Sequence, residues 1–145
     1  MRLTMLCDIV MEKDGAPRLV RPYGTEEGTA FDTAHGTASG ERLRGTVHCS
    51  NFPHRRSDGV MLPNIQGMIM TEDGAALTFT MTGRTLLTQS STGMVGNQVL
   101  FTLFEAEDER YRWLNGVVCI AEGQIEGAGA MKMLARVFVC GNELV

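Results

Sequence analysis

A short polar segment in the middle of the chain carries the groups best suited to acid–base chemistry. An amide, an imidazole, two guanidiniums and a carboxylate lie within one predicted loop, contributed by Asn51, His54, Arg55, Arg56 and Asp58. An imidazole can move a proton near neutral pH, and an arginine can hold a carboxylate or a developing enolate. His54, Arg55 and Asp58 are therefore candidate catalytic residues, and Asn51 is a candidate substrate contact. The alternative is a solvated loop in which Asp58 and the glycine after it form a turn.

Further candidate binding groups lie on predicted strands. Arg84, Arg136 and His48 would form a cationic, partly polar pocket if the strand faces that carry them line an interior. The alternative is that these side chains point outward or form structural ion pairs. Tyr111 and Trp113 share one face of a predicted strand and complete the set of candidate substrate contacts, although an indole also buries enough area to anchor a core.

The cysteines and histidines do not show the spacing of a metal site. Cys7, Cys49, Cys119 and Cys140 lie far apart in apolar, strand-like contexts, which is typical of buried reduced thiols. Zinc sites use closely spaced pairs of cysteine or histidine, and the three histidines supply none. We expect no metal and no cofactor.

Composition limits the partners that the chain can have. Its 145 residues suit one domain spanning 1–145, and the net charge of −4 makes a nucleic-acid backbone an unfavourable partner. No apolar stretch approaches the roughly 20 residues of a membrane helix. Residues 1–11 are apolar but interrupted by Arg2 and Asp8, without the cleavage site of a signal peptide, so we expect a first strand and a cytoplasmic protein.

The apolar pattern predicts an all-β fold. A period of two is clearest over residues 77–84, where Leu77, Phe79 and Met81 alternate with threonines, and the Asp73-Gly74 pair before it is a strong hairpin signal. Residues 65–71 should therefore pair with 75–83. Further strands are predicted over residues 2–11, 29–37, 41–49, 99–105, 117–122 and 131–140. This pattern alone leaves a β-sandwich and a closed barrel both open.

Three blocks in order resemble the family called domain of unknown function 3237, also known as uncharacterised protein family 0311. They are residues 35–47, which read His-Gly-Thr-Ala-Ser-Gly-Glu-Arg-Leu-Arg-Gly-Thr-Val, residues 71–75, which read Thr-Glu-Asp-Gly-Ala, and the motif Tyr111-x-Trp113-Leu114-Asn115. The resemblance implies a single small antiparallel β-barrel of about eight or more strands, similar to allene oxide cyclase and to calycins. Its mouth or lumen would hold a small molecule, and the resemblance implies no defined reaction.

The chain departs from the pattern of that family in the segment that carries the candidate catalytic residues. Relatives typically have a glycine-rich turn with an Asp followed by an aromatic residue, where this chain reads Ser-Asn-Phe-Pro-His-Arg-Arg over residues 50–56. A role attached to that Asp therefore does not transfer to this chain. His35 also stands beside Gly36, where the family has paired glycines.

Three functions remain open on the sequence, and they differ in what they require. The first is a cofactor-independent isomerase, cyclase or lyase that transfers a proton on a small organic acid, phenolic or polyketide-like carbonyl compound, with His54 as acid and base and arginines as anion anchors. The second is a non-catalytic carrier of a hydrophobic acid, and the third is a structural or partner-binding module. Because both faces of residues 131–140 are apolar, we also expect a homodimer.

Overall fold

The chain folds into a closed antiparallel β-barrel. A computed structural model describes residues 1–127 and 131–145. Its strands, in chain order, are β1 (Arg2–Lys13), β2 (Arg18–Val20), β3 (Gly28–Ser39), β4 (Gly45–Asn51), β5 (His54–Arg55), β6 (Met61–Leu62), β7 (Asn64–Thr71), β8 (Ala76–Ser90), β9 (Gly93–Ala106), β10 (Cys119–Gly127) and β11 (Met131–Gly141). The 8 long strands form the barrel wall in the order β1, β3, β4, β7, β8, β9, β10 and β11, and β11 pairs back to β1. The predicted all-β barrel is confirmed.

The hairpin predicted from Asp73-Gly74 is present. β7 and β8 pair with Ile65 opposite Met81 and Ile69 opposite Leu77. Gly74 has a φ of 90°, a left-handed conformation that glycine adopts without steric cost. The turn thereby fixes the register of the two strands.

Alternation along the strands separates the interior of the barrel from its outer surface. In β8, Leu77, Phe79 and Met81 are buried, whereas the threonines between them face outward. The same pattern in the other long strands builds one continuous core. Its burial is the main favourable contribution to folding, because apolar area leaves water.

One end of the barrel is closed by side chains from two connections, and we call it the closed end. Leu43, in the β3–β4 connection, and Leu114, after β9, are almost fully buried there. Trp113 packs against this core, and the guanidinium of Arg42 lies 3.7 Å from the centre of its ring. The expected role of Trp113 as a core anchor agrees with this position.

The prediction of a strand that carries Tyr111 and Trp113 is wrong. Residues Arg112–Gly116 form a 3₁₀ helix, and Tyr111 immediately precedes it. The side-chain amide of Asn115 donates to the carbonyl of Ala106 and accepts from its N–H, at 2.8 and 2.7 Å. The side chain of Asn115 thus makes the two hydrogen bonds to Ala106 that a neighbouring strand would otherwise make. The chain therefore turns here instead of extending.

Several boundaries differ from the prediction. β8 extends to Ser90 and β9 begins at Gly93, so the hairpin that they form is longer than the alternating apolar pattern indicated. β4 begins only at Gly45, because Leu43 turns inward. The short strands β2, β5 and β6 were not foreseen, since two or three residues carry no measurable period.

The cysteines are free thiols, as predicted; Cys7 and Cys119 are buried, whereas Cys49 and Cys140 are only partly buried, which the prediction of buried thiols did not anticipate. Burial raises the pKa of Cys7 to about 12 and that of Cys119 to about 11. Among the residues described, none form a helix with the length and hydropathy that a helical bilayer crossing would need.

Candidate functional site

A cavity lies inside the barrel at the end opposite the closed end. Its volume is about 110 Å³, and apolar side chains make most of its wall, among them Ile65, Leu87, Ile125, Met131 and Met133. An engineered apolar cavity of roughly 150 Å³ binds benzene. The cavity here is smaller than that one, so it suits at most a molecule of about one ring, or the reactive end of a larger one.

Two segments cover the mouth of this cavity. Residues 14–27 contribute Pro17 to its lining, and residues 52–63, which we call the flap, contribute Pro53, Met61 and Pro63. The flap is held by short pairings on both sides, with His54 opposite Thr29 of β3 and Met61 opposite Thr85 of β8. A ligand would thus be enclosed between the barrel wall and the flap.

A part-buried ion pair forms one polar part of the lining. The Lys13 ammonium lies 2.7 Å from Asp32 Oδ2, and the two side chains are 18% and 6% exposed. Lys13 ends β1, and Asp32 faces inward from the neighbouring strand β3. Each charge compensates the other across this contact. Within the part of the chain that the structure describes, only Lys13 hydrogen-bonds this carboxylate, so Oδ1 is available to a ligand.

A buried amide forms the second polar part. The Thr85 hydroxyl donates to Gln98 Oε1 at 2.9 Å, and the two residues are 3% and 2% exposed. Over residues 1–127 and 131–145, Gln98 Nε2 has no hydrogen-bond acceptor. Leaving a buried donor without an acceptor costs about 1–3 kcal/mol.

Asn51 is the one predicted site residue that lines the cavity. It lies at the end of β4, and its Oδ1 accepts a hydrogen bond from the backbone N–H of Asn64 at 3.0 Å. That contact orients the amide at the junction between the flap and the wall.

The three predicted catalytic residues lie on the flap and do not line the cavity. His54 Nε2 is 3.1 Å from Glu27 Oε1, and Arg55 is 3.2 Å from Glu26. Asp58 accepts two hydrogen bonds from Arg56, which is the main reason that its pKa lies below the ordinary value. These contacts join the flap to residues 14–27 or stabilise its turn, so they position the cover of the cavity.

The other predicted contacts lie elsewhere on the barrel. His48 and Arg84 are exposed on the outer face, and Arg136 lies there too, paired with Asp8 at 2.9 Å. The strand faces that carry them point to solvent because the opposite faces supply the core. Tyr111 and Trp113 are at the closed end, where the Tyr111 hydroxyl donates to Asp73 at 2.7 Å.

Sequence reasoning missed Lys13, Asp32, Thr85 and Gln98. The usable signal is a polar residue at an inward position of an otherwise apolar strand face. Asp32 lies between Ala30 and Ala34 in this alternation, and Gln98 shares the inward face of Leu100. Such interruptions are informative because an unpaired buried polar group is costly.

A larger depression on the outer surface is less suited to ligand chemistry. It measures about 730 Å³ and lies between the β7–β8 turn and residues 107–112. Its central cation, Arg110, is already paired with Asp108 and Asp73, at 2.8 and 3.2 Å. In residues 1–127 and 131–145, no three His, Cys, Asp or Glu side chains are grouped so that they could hold a metal ion.

Comparison with known proteins identifies a family and similar folds. The family model described as Protein of unknown function (DUF3237) matches residues 2–140. No curated protein matches the chain.

Solved structures similar to this one share its fold at low sequence identity. A protein of unknown function from Clostridium acetobutylicum aligns with a TM-score of 0.81 and 16% identity, over 97% of this chain and 100% of its own. A β-barrel-like protein from Acinetobacter baumannii gives 0.78 and 15%, over 94% and 95%. A Penicillium herquei protein described as an enzyme gives 0.67 and 20%, over 93% of each chain.

Proposed function

Because the chain belongs to the DUF3237 family of proteins of unknown function, we propose from its own geometry that it is a cofactor-independent enzyme that transfers a proton on a small carbonyl or phenolic compound. The observation that carries the proposal is the Asp32 carboxylate, 6% exposed, beside the cavity and compensated by Lys13. A carboxylate held within reach of an enclosed ligand can act as a general base.

The proposed reaction needs only groups that line the cavity. Asp32 removes a proton from the carbon next to a carbonyl, the C–H electrons move toward the carbonyl oxygen, and an O–H bond forms on the carboxyl. Return of that proton to a different carbon isomerises the compound, and return after a bond rearrangement gives cyclisation or cleavage. Lys13 keeps its positive charge throughout, so the pair gains one net positive charge while the ligand gains a negative one.

Asp32 suits the role of base better than His54 or Asp58. Both of those residues lie on the flap and outside the cavity lining, with Glu27 and Arg56 as their partners. We assign them to holding the flap, and we assign Asn51 to the wall that the ligand contacts.

Exchange of carbon-bound hydrogen tests the proposal before a natural substrate is known. Wild-type protein is incubated in D₂O with cyclopentanone, cyclohexenone or hydroxyacetophenone, and loss of the α-proton signal is followed by NMR. Proton transfer by a positioned side chain contributes at least about 100-fold in rate. We therefore expect catalysed exchange with at least one compound, and a fall of about 100-fold or more in Asp32→Asn.

Asp8→Asn is the matched control, because Asp8 also pairs with a cation but lies on the outer face. It should exchange like the wild type. Thermal unfolding checks that Asp32→Asn is folded, and Lys13→Gln/Asp32→Asn removes both charges if the single variant is not. Equal exchange by wild type and folded Asp32→Asn, or no exchange above buffer with any compound, would overturn the catalytic proposal.

A carrier is the second candidate, favoured by the apolar wall that Ile65, Ile125 and Met133 contribute. Tight binding of the same compounds by both proteins, without exchange by either, would support this function in place of catalysis.

A further inference from the structure

The amide of Gln98 is held in place by the two strands on either side of it. In the barrel wall Gln98 of β9 lies directly opposite Thr85 of β8 and Gly123 of β10. The Thr85 hydroxyl donates to Oε1, and neither proton of Nε2 is used in that contact. One side of the amide is therefore fixed by a hydrogen bond.

On its other side, the amide fits into space that is free because residue 123 is a glycine. A Cβ atom added at Gly123 would lie 2.8 Å from Gln98 Cγ and 2.9 Å from Nε2. The side chain therefore occupies the volume above Gly123, and any larger residue there would displace it. Among the described residues this buried and oriented donor has no acceptor, so one hydrogen bond remains to be satisfied.

We propose that Gln98 Nε2 donates a hydrogen bond to the ligand oxygen that becomes negatively charged when Asp32 takes the proton. This inference rests on the proposed function and adds the class of substrate: a small neutral ketone or phenol with one oxygen at the reacting centre. In the step, the C–H or O–H bond breaks, the proton goes to Asp32, and the electron pair ends on the oxygen that Nε2 contacts.

The charges of the cavity disfavour a carboxylic acid as the substrate. Lys13 is the one cation in the described lining, and it is already paired with Asp32 at 2.7 Å. A substrate carboxylate would place a second anion beside Asp32 without a second cation. A neutral molecule avoids that repulsion, because its negative charge develops only as Asp32 becomes neutral.

Binding of an oxyanion tests the role of Gln98 without any turnover. Asp32→Asn imitates the protonated base, and para-nitrophenolate is the probe because its absorbance reports both ionisation and binding. A hydrogen bond to a charged acceptor corresponds to about 10- to 100-fold in affinity. We expect Gln98→Leu in the Asp32→Asn background to weaken para-nitrophenolate binding by that factor. Binding of para-nitrotoluene, which has the same nitro group but lacks the phenolate oxygen, should not change.

Two further variants keep the test decisive. Gln98→Glu retains the acceptor for Thr85 and the shape of the side chain, and its ionised form has no donor, so at a pH where the carboxyl is ionised it should weaken binding at least as much. Gln124→Leu is the matched control, since Gln124 is exposed on the outer face of β10 and bonds Glu126, and it should bind like the parent. Far-UV circular dichroism confirms that each variant is folded.

The outcomes separate this inference from the proposed function. Unchanged para-nitrophenolate affinity in folded Gln98→Leu and Gln98→Glu would overturn the inference, even if hydrogen exchange depends on Asp32. Benzoate binding to the wild type more tightly than phenol would overturn the substrate class. Loss of affinity in both Gln98 variants supports the oxyanion site, even if the exchange assay shows no catalysis.

Discussion

At the residue scale, one carboxylate joins the β7–β8 turn to the 3₁₀ helix. Asp73 accepts hydrogen bonds from the Thr71 and Tyr111 hydroxyls, at 2.5 and 2.7 Å, and lies 3.2 Å from Arg110. The Thr71 bond, then the Tyr111 bond, hold the pKa of Asp73 below its ordinary value of 3.8. The ionised form of this group therefore stabilises the closed end.

The sign of this pKa shift predicts an acid-sensitive closed end. A carboxyl whose pKa is lower in the folded state stabilises the fold above its unfolded pKa, and this contribution is lost as the pH falls below 3.8 through the folded value. We expect the melting temperature of the wild type to fall more steeply below about pH 4 than that of Asp73→Asn. Glu105→Gln, which changes an outward-facing carboxylate of β9, should keep the steep dependence; parallel curves for wild type and Asp73→Asn would contradict the assignment.

The sequence showed which residue types were available for the site but did not show which of them meet. Asn51 was singled out and lines the cavity, whereas His54 and Arg55 stand a few positions further and face partners outside it. Lys13 and Asp32 are 19 residues apart and meet because β1 and β3 are neighbours. Only the pairing of β1 with β3, which the pattern of a single strand does not reveal, brings them together.

At the element scale, glycines allow neighbouring strands and the core to approach closely. Gly67 of β7 lies over Phe79, and a Cβ atom there would be 2.5 Å from the Phe79 ring and 2.6 Å from the His48 carbonyl oxygen. An added side chain could not move toward β4, because its backbone is in the way, or toward the interior, because the core is packed. This position therefore tolerates no side chain without movement of a strand.

Gly67→Ala should accordingly destabilise the fold, by about 1–3 kcal/mol as for other overpacked cores. Chemical denaturation followed by circular dichroism measures the change. Gly15→Ala is the control, since an added Cβ at Gly15 meets no atom within 4 Å, and it should leave the midpoint unchanged. A Gly67→Ala protein as stable as the wild type would show that β4 shifts at little cost.

Strand identity was predictable because alternation is strong where one face is buried. Leu77, Phe79 and Met81 gave β8 and its partner, and the Asp73-Gly74 turn gave their register. The direction of each face was not predictable from composition, since Met68 and Met70 on β7 are apolar and point outward. The 3₁₀ helix after Tyr111 was missed because side-chain to backbone pairing by Asn115 leaves no periodic signal.

At the scale of the whole molecule, the outer surface carries an apolar row across four neighbouring strands. Met5, Phe138, Ile120 and Phe101 are opposite one another in register on β1, β11, β10 and β9. Met5 and Phe101 are 47% and 43% exposed. Contiguous apolar surface of this kind is typical of an interface.

We expect a second copy of the chain to cover this row. Glu122 and Arg136 lie opposite each other in register beside it, so a two-fold axis between them would place each Glu122 against Arg136 of the other copy. Light scattering coupled to size exclusion should give the mass of a dimer at about 10 μM, a concentration at which an interface of standard size is occupied.

Phe101→Glu should convert the dimer to a monomer, because two charges would then be buried in the apolar row. Met70→Glu, which alters an apolar side chain that is 46% exposed on β7, should leave the dimer intact. A monomeric wild type at that concentration would remove the proposed interface.

The pairing of the first barrel strand with the last has a consequence for biosynthesis. Arg2 lies opposite Gly141, so the wall is sealed only when β11 is available. During translation β1 and each newly made strand would present open edges, and contacts of such long sequence separation form slowly. The cavity, whose lining includes Ile125 of β10 and Met133 of β11, would therefore be completed only after β11 has left the ribosome. A nascent chain stalled before β11 should be digested by protease, whereas the released protein should resist.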